Sequence, residues 1–214
     1  MKRMMVWAVL AVVLLDSADR ADALLINRGG GLIYDSDRNI TWLADANYAE
    51  TSGIDADGLM TWDQANAWAE GLVYGGHDDW RLPSNLNPDG SGPCNSLGLM
   101  VPEVCKGSEP GHLFYSELGA TLGASVLAGE DPGVALFSTP DRAFWSGPEY
   151  QGDPTIQFLF DFTSGVQRAD ARSSPYTAWA VREGDVAPVP EPASLFLVGS
   201  GLIGMILWRK WRTA

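Results

Sequence analysis

Histidine and cysteine are scarce: the chain has two of each among 214 residues. Few thiolate or imidazole centres are possible from so small a stock. Neither His77 nor His112 sits in a recognised triad context, and no Gly-x-Ser-x-Gly or His-Glu-x-x-His string occurs. Positive charge is also thin, with 14 Lys and Arg against 27 Asp and Glu, a net charge of -13. Six of those bases (Lys2, Arg3, Arg20, Arg209, Lys210 and Arg212) lie in the terminal segments. Residues 24–188 hold 23 acids against 8 bases, a charge of about -15. Such a domain repels polyanions, which argues against a nucleic-acid partner. The middle of the chain has no internal repeat and no block of like charge, which excludes a repeat array.

Against these shortages stand two apolar ends and nine tryptophans. Lys2 and Arg3 precede an unbroken apolar run from Met4 to Leu15, too short to span a bilayer comfortably. A polar stretch then ends in Ala21-Asp22-Ala23, the small-x-small pattern of signal peptidase sites. Residues 1–23 are therefore expected to be a signal peptide cleaved after Ala23. At the other end come Val189, Pro190, Glu191 and Pro192. An apolar or small stretch follows from Ala193 to Trp208, and then the basic Arg209, Lys210 and Arg212. As a helix, 193–208 would be roughly 24 Å long against a hydrocarbon core of ~30 Å. Pro192 cannot sit deep in a helix, so the span begins at or just after it. Trp208 and Trp211 suit the interface, and the basic cluster stays cytoplasmic.

Pro-Glu-Pro, one apolar helix and a basic end, in that order, resemble the PEP-CTERM sorting signal over residues 188–212. The resemblance implies recognition and cutting by an exosortase, a membrane-embedded protease. The protein is then a substrate of processing: exported, anchored in the inner membrane beforehand, and placed at the cell surface or in an extracellular polysaccharide matrix afterwards. A plain, uncut tail anchor is the alternative.

Residues 24–187 read as one extracytoplasmic α+β domain with short strands and two helices. Gly31–Tyr34 and Ile40–Leu43 are expected strands around the turn-rich Asp35–Asn39. Thr61 and Gln64 have capping-box spacing, and Trp62, Ala65, Trp68, Ala69 and Leu72 share one helical face. A second helix is expected over Leu113–Leu122, with Phe114, Leu118 and Leu122 aligned. Ala143–Ser146, Ile156–Phe162 and Thr177–Arg182 are strand candidates, with Gly165 in a turn between the last two. Residues 84–112 and 123–136 look mostly irregular.

Several strings across residues 30–184 resemble the Lcl C-terminal domain family. They include Gly31-Leu-Ile-Tyr-Asp35, Thr61-Trp-Asp-Gln-Ala65, Gly111-His-Leu-Phe-Tyr-Ser-Glu-Leu-Gly119, Phe144-Trp145-Ser146 and Ala178-Trp179-Ala-Val-Arg182. The most specific is Asp79-Trp80-Arg81-Leu82-Pro83. The resemblance implies a C-type-lectin-like fold, shared with formylglycine-generating enzymes. The family's namesake adhesin binds sulfated glycosaminoglycans, which a domain of this charge repels unless its eight bases cluster. The formylglycine chemistry needs a reactive cysteine pair in a context that Cys94 and Cys105 lack. The fold is carried over; neither activity is.

Within the Asp79–Pro83 string, Trp80 and Leu82 alternate onto one side of an extended segment, and Pro83 keeps Leu82 extended. Arg81 points the other way, beside Asp78 and Asp79. It reads as a structural ion pair or carbonyl clamp, with ligand contact as the alternative. Cys94 and Cys105, eleven apart in an exported chain, are expected to pair, a closure worth roughly 3 kcal/mol. Two His and two Cys do not have a zinc spacing. Asn85-x-Asn87-x-Asp89-Gly90 copies the start of a calcium loop but has Ser96 at position twelve. Calcium stays open, and no cofactor or metal site is assigned. The expected function is a non-catalytic surface or matrix protein, with carbohydrate binding through exposed tryptophans. The alternatives are an enzyme acting on extracellular polysaccharide and a structural envelope protein without a small ligand.

Overall fold

A computed structural model describes residues 25–89, 93 and 105–186. The expected signal peptide, the sorting segment 188–212 with its span 193–208, and Cys94 lie outside the described residues. What is described is a mixed α+β domain, mostly strands with few helices, built on two sheets.

The first sheet is a meander of β1 (Leu25–Gly29), β2 (Leu32–Asp35) and β3 (Ile40–Leu43), closed by β9 (Val181–Glu183). The expected pair forms in register, Leu32 opposite Leu43 and Asp35 opposite Ile40. Asp35 turns the chain: its Oδ1 accepts the backbone N–H groups of Asp37 and Arg38, at 3.1 and 3.0 Å. β1 escaped the sequence reading because its burial does not alternate.

The second sheet has the order β4-β8-β5-β6-β7. Its strands are β4 (Leu59–Met60), β5 (Ala143–Trp145), β6 (Ile156–Asp161), β7 (Val166–Ala171) and β8 (Tyr176–Thr177). β5 and β8 run parallel; the other pairs are antiparallel. Gly165 lies in a turn after the Ile156–Phe162 strand, as expected, but that turn closes the β6–β7 hairpin: β7, with three polar residues and half-exposed, is a further strand before 177. Gly165 has φ of +74°, and a Cβ there would meet Phe114 at 2.6 Å. One strand expectation needs correction: the candidate Thr177–Arg182 is in fact two strands in different sheets. Ala178, Trp179 and Ala180 cross between them through the core, buried on every side.

Helices fill the connections. α1 (Tyr48–Thr51) is a single turn, and α2 (Trp62–Glu70) starts at Thr61 with both halves of the capping box in place. Such a cap is worth about 1 kcal/mol. Trp62, Ala65 and Ala69 are its buried face. The expected helix over 113–122 is displaced. α3 (Glu109–His112) begins at Ser108, whose side chain accepts the Gly111 N–H, and runs into a π-helical turn over Leu113–Glu117. Phe114 and Leu118 are buried as expected, but the chain leaves the helix at Leu118, and Leu122 is exposed.

Two apolar clusters make the core. One gathers Leu32, Ile40, Trp42, Trp80, Phe114, Phe160 and Trp179; the other gathers Met60, Trp62, Leu82, Trp145 and Leu159. Indole N–H groups tie distant segments together. Trp179 donates to the Leu43 carbonyl at 2.7 Å, Trp145 to Met60 at 2.8 Å, and Trp62 to Ser146 at 2.7 Å.

Candidate functional site

The Asp79–Pro83 string lies between the two clusters. Trp80 packs in the first with Trp179, and Leu82 packs in the second with Trp145. The alternation that turns both inward thus divides them between two cores. The Arg81 backbone pairs with Val181 in both directions, N–H to carbonyl at 2.8 and 2.9 Å, so the string continues the first sheet beyond β9. Pro83 offers its carbonyl to the Gly147 N–H at 3.0 Å.

The Arg81 guanidinium does not meet Asp78 or Asp79. It forks onto Glu109 in the first turn of α3, with Nη1 to Oε2 at 2.8 Å and Nη2 to Oε1 at 2.6 Å. It also bonds Glu183 on β9 and the Leu82 carbonyl. Glu109 Oε2 accepts the Ser84 N–H as well, at 2.6 Å. Burial alone would lower the Arg81 pKa, but the bonds and charges of Glu109 and Glu183 outweigh it and hold the guanidinium above its ordinary value. Asp79 instead holds Arg182, at 2.7 and 2.9 Å, and that hydrogen bonding keeps its carboxyl below the usual range. Around Arg81 opens a cleft of about 470 Å³, lined by Asn66, Ser84, Glu109, Gly147 and Glu183 among others.

The tryptophans are not a sugar platform. Of the six in the middle of the chain, Trp42, Trp62, Trp80, Trp145 and Trp179 are at most 4% exposed, and only Trp68 is partly open. Carbohydrate contact through exposed tryptophans is corrected accordingly: these five indoles are buried framework, and Trp62, Trp80, Trp145 and Trp179 also donate to backbone carbonyls. The bases do not form a patch either. Arg28, Arg81, Arg142, Arg168, Arg172 and Arg182 each face a carboxylate.

A second constellation was not assembled from sequence. Asp35 at the end of β2, His112 at the end of α3 and Glu117 in the π turn offer ligand atoms within 4.8 Å of one another, and all three are buried. His112 Nε2 lies 3.0 Å from Glu117 Oε1 and 4.0 Å from Asp35 Oδ1. Burial pushes the Asp35 carboxyl up to about 6, and the neighbouring Glu117 charge adds to the rise. The Arg38 backbone N–H, His112 and the Arg38 charge pull the other way. In the sequence, His112 stands near the cysteines and Asp35 in a turn, far apart along the chain. The joining signal was the Gly111–Gly119 string, which holds His112 and Glu117 five residues apart. Cys105 is buried, with Cys94 outside the described residues. In the calcium-like string, Asn85 and Asn87 are buried and Asp89 is exposed.

Residues 188–212 match the family model of the PEP-CTERM protein-sorting motif. The chain is therefore an exported protein sorted by an exosortase, held at the membrane before processing and destined for the cell surface. No curated protein and no solved structure matches it. No helix among the described residues is long and apolar enough to cross a membrane.

Proposed function

We propose that this chain is a non-catalytic surface or matrix protein, its acidic domain of the Lcl C-terminal, C-type-lectin-like kind. The sorting motif at 188–212 carries the reading, since it sets where the domain works. A signal peptide over 1–23 supplies export, and the span 193–208 holds the protein until the exosortase acts. Pairing of Cys94 with Cys105 suits an oxidising compartment and is supported by Cys105 not being a free thiol. The non-catalytic reading is supported by the Arg81 cleft, where the guanidinium and its two carboxylates satisfy each other.

Expression of the full chain with and without an exosortase tests the sorting. With the enzyme, the product is expected to begin at Leu24 and to lack 193–208. Replacing Pro190, Glu191 and Pro192 with alanine is expected to keep the tail. Retention of the tail in exosortase-containing cells sinks the proposal.

Binding of extracellular polysaccharide is a second reading, and one observation favours a new place for it. Tyr150 and Phe158, with ring centroids 5.0 Å apart, border a groove of about 370 Å³ alongside Glu149 and Gln151. An aromatic face beside polar side chains suits a neutral sugar ring. On an array of neutral glycans the full-length protein in detergent is expected to bind selectively, and Tyr150→Ala to weaken that binding about tenfold, on the order of 1.4 kcal/mol. Turnover of a glycan would favour the enzyme reading, and no binding the structural envelope protein.

A further inference from the structure

We propose that Asp35, His112 and Glu117 form a buried transition-metal site, and that its ion is zinc. The donor set is one imidazole nitrogen and two carboxylates. Zinc accepts that mixture and is satisfied by three protein ligands plus one exogenous one, whereas calcium and magnesium want six or more oxygens. With metal–ligand distances of about 2.0–2.2 Å, neighbouring donors around a tetrahedral ion stand about 3.4 Å apart. The separations of 3.0 and 4.0 Å straddle that value.

The chain builds the site at some cost. In an α-helix, residues five apart point about 140° away from each other. The π turn closes a bond from the Leu118 N–H to the Leu113 carbonyl at 2.9 Å, and that wider turn lets Glu117 come round to His112. The Asp35 carboxylate is fixed from the other side. Its Oδ1 is held by the turn it caps, while Oδ2, on a residue 0% exposed, has no hydrogen-bond partner. Leaving a buried carboxylate oxygen unpartnered is costly. His112 does not act as a hydrogen-bond partner of the Asp35 carboxylate, since its Nε2 lies 4.0 Å from Oδ1, beyond hydrogen-bonding reach. A cation between the three groups would give the carboxylate a partner, since it bonds each one at its own distance. The positive charge close to Asp35 is Arg38, whose guanidinium is directed at the Lys106 carbonyl. The His112 side chain keeps 11% of its surface exposed, against 0% for Asp35 and 1% for Glu117, so the imidazole edge is the way in.

The full-length protein in detergent, stripped with EDTA and titrated with zinc chloride, is expected to bind one zinc per chain and to melt at a higher temperature. Asp35→Asn keeps the oxygen that caps the turn, and Glu117→Gln keeps a polar group beside His112. Each is expected to lose more than about 100-fold in zinc affinity, beyond what an outer-shell change costs. The wild type offers a readout that needs no ligand variant. With two histidines in the chain, zinc is expected to shift the imidazole resonances of His112 and leave those of His77 in place. Undiminished affinity in both variants, no stoichiometric site in the wild type, or a shift confined to His77 would overturn the proposal.

Discussion

Replacing Trp179 with alanine is expected to destabilise the domain by about 3–5 kcal/mol, the range for emptying a buried aromatic site. The indole is 1% exposed and central to the first cluster. Its ring centroid lies 4.8 Å from Trp42, 5.0 Å from Phe144, 5.2 Å from Phe137 and 5.4 Å from Phe162. Rigid rings on several sides cannot collapse into the void, so the cavity term is kept. The same change strands the Leu43 carbonyl, which loses the indole donor across 136 residues of sequence. It also loosens the segment that joins the two sheets. For a domain of this size the loss corresponds to a fall in Tm of roughly 6–20 °C. Trp68→Ala, at the partly open position, is the comparison and is expected to cost less than half as much. Equal effects at the two positions would mean that Trp179 is not the keystone of the core.

What sequence could reveal follows from the range over which each signal acts. The β2–β3 pair and α2 were readable because each is specified within a dozen residues: turn-forming Asp35 to Asn39 in one case, the Thr61–Gln64 capping box in the other. β7 was not, because Val166–Ala171 has only small or single apolar residues among Gln167, Arg168 and Asp170 and is a strand because β6 pairs with it. The crossing at Ala178–Ala180 reads as one strand in sequence because a run buried on all sides carries no period to show where one sheet ends. The π turn broke the helix expectation for a related reason: α-helical spacing aligned Leu122 with Phe114, and the wider turn threw it out to solvent.

The sites divide along the same line. Arg81 was singled out in sequence by its neighbours, yet its partners Glu109 and Glu183 lie 28 and 102 residues away, and only the fold brings them together. The Asp35–His112–Glu117 cluster joins two distant segments through a local irregularity, so neither range of signal was sufficient alone. The sorting motif needs no fold at all. It is a linear address, and it was legible end to end.

Arg81→Met is expected to cost about 2–3 kcal/mol and to do so by abandoning Glu109. Removing one member of a buried pair leaves an uncompensated charge, at about 3–5 kcal/mol when burial is complete. Here the Arg81 side chain is 32% exposed and that of Glu109 14%, so water screens part of the loss. The Ser84 N–H still serves one carboxylate oxygen, which softens it further. Methionine keeps the aliphatic stem, so the effect reports the charge and the fork rather than the packing. Adding Glu109→Gln to Arg81→Met is expected to recover at least about 1 kcal/mol, since the stranded charge is gone; the double-mutant cycle isolates that coupling. Glu183→Gln is expected to cost under about 0.5 kcal/mol, because that side chain is 68% exposed and its pair lies at the surface. Denaturant unfolding of the wild type, Arg81→Met, Glu109→Gln, the double variant and Glu183→Gln at neutral pH reads all of these values. A clamp explains a large Arg81 effect, strong coupling to Glu109 and weak dependence on Glu183. If Arg81→Met is instead as stable as the wild type, the guanidinium is not needed to hold α3 against the sheet. It is then free to meet a ligand in the cleft it lines.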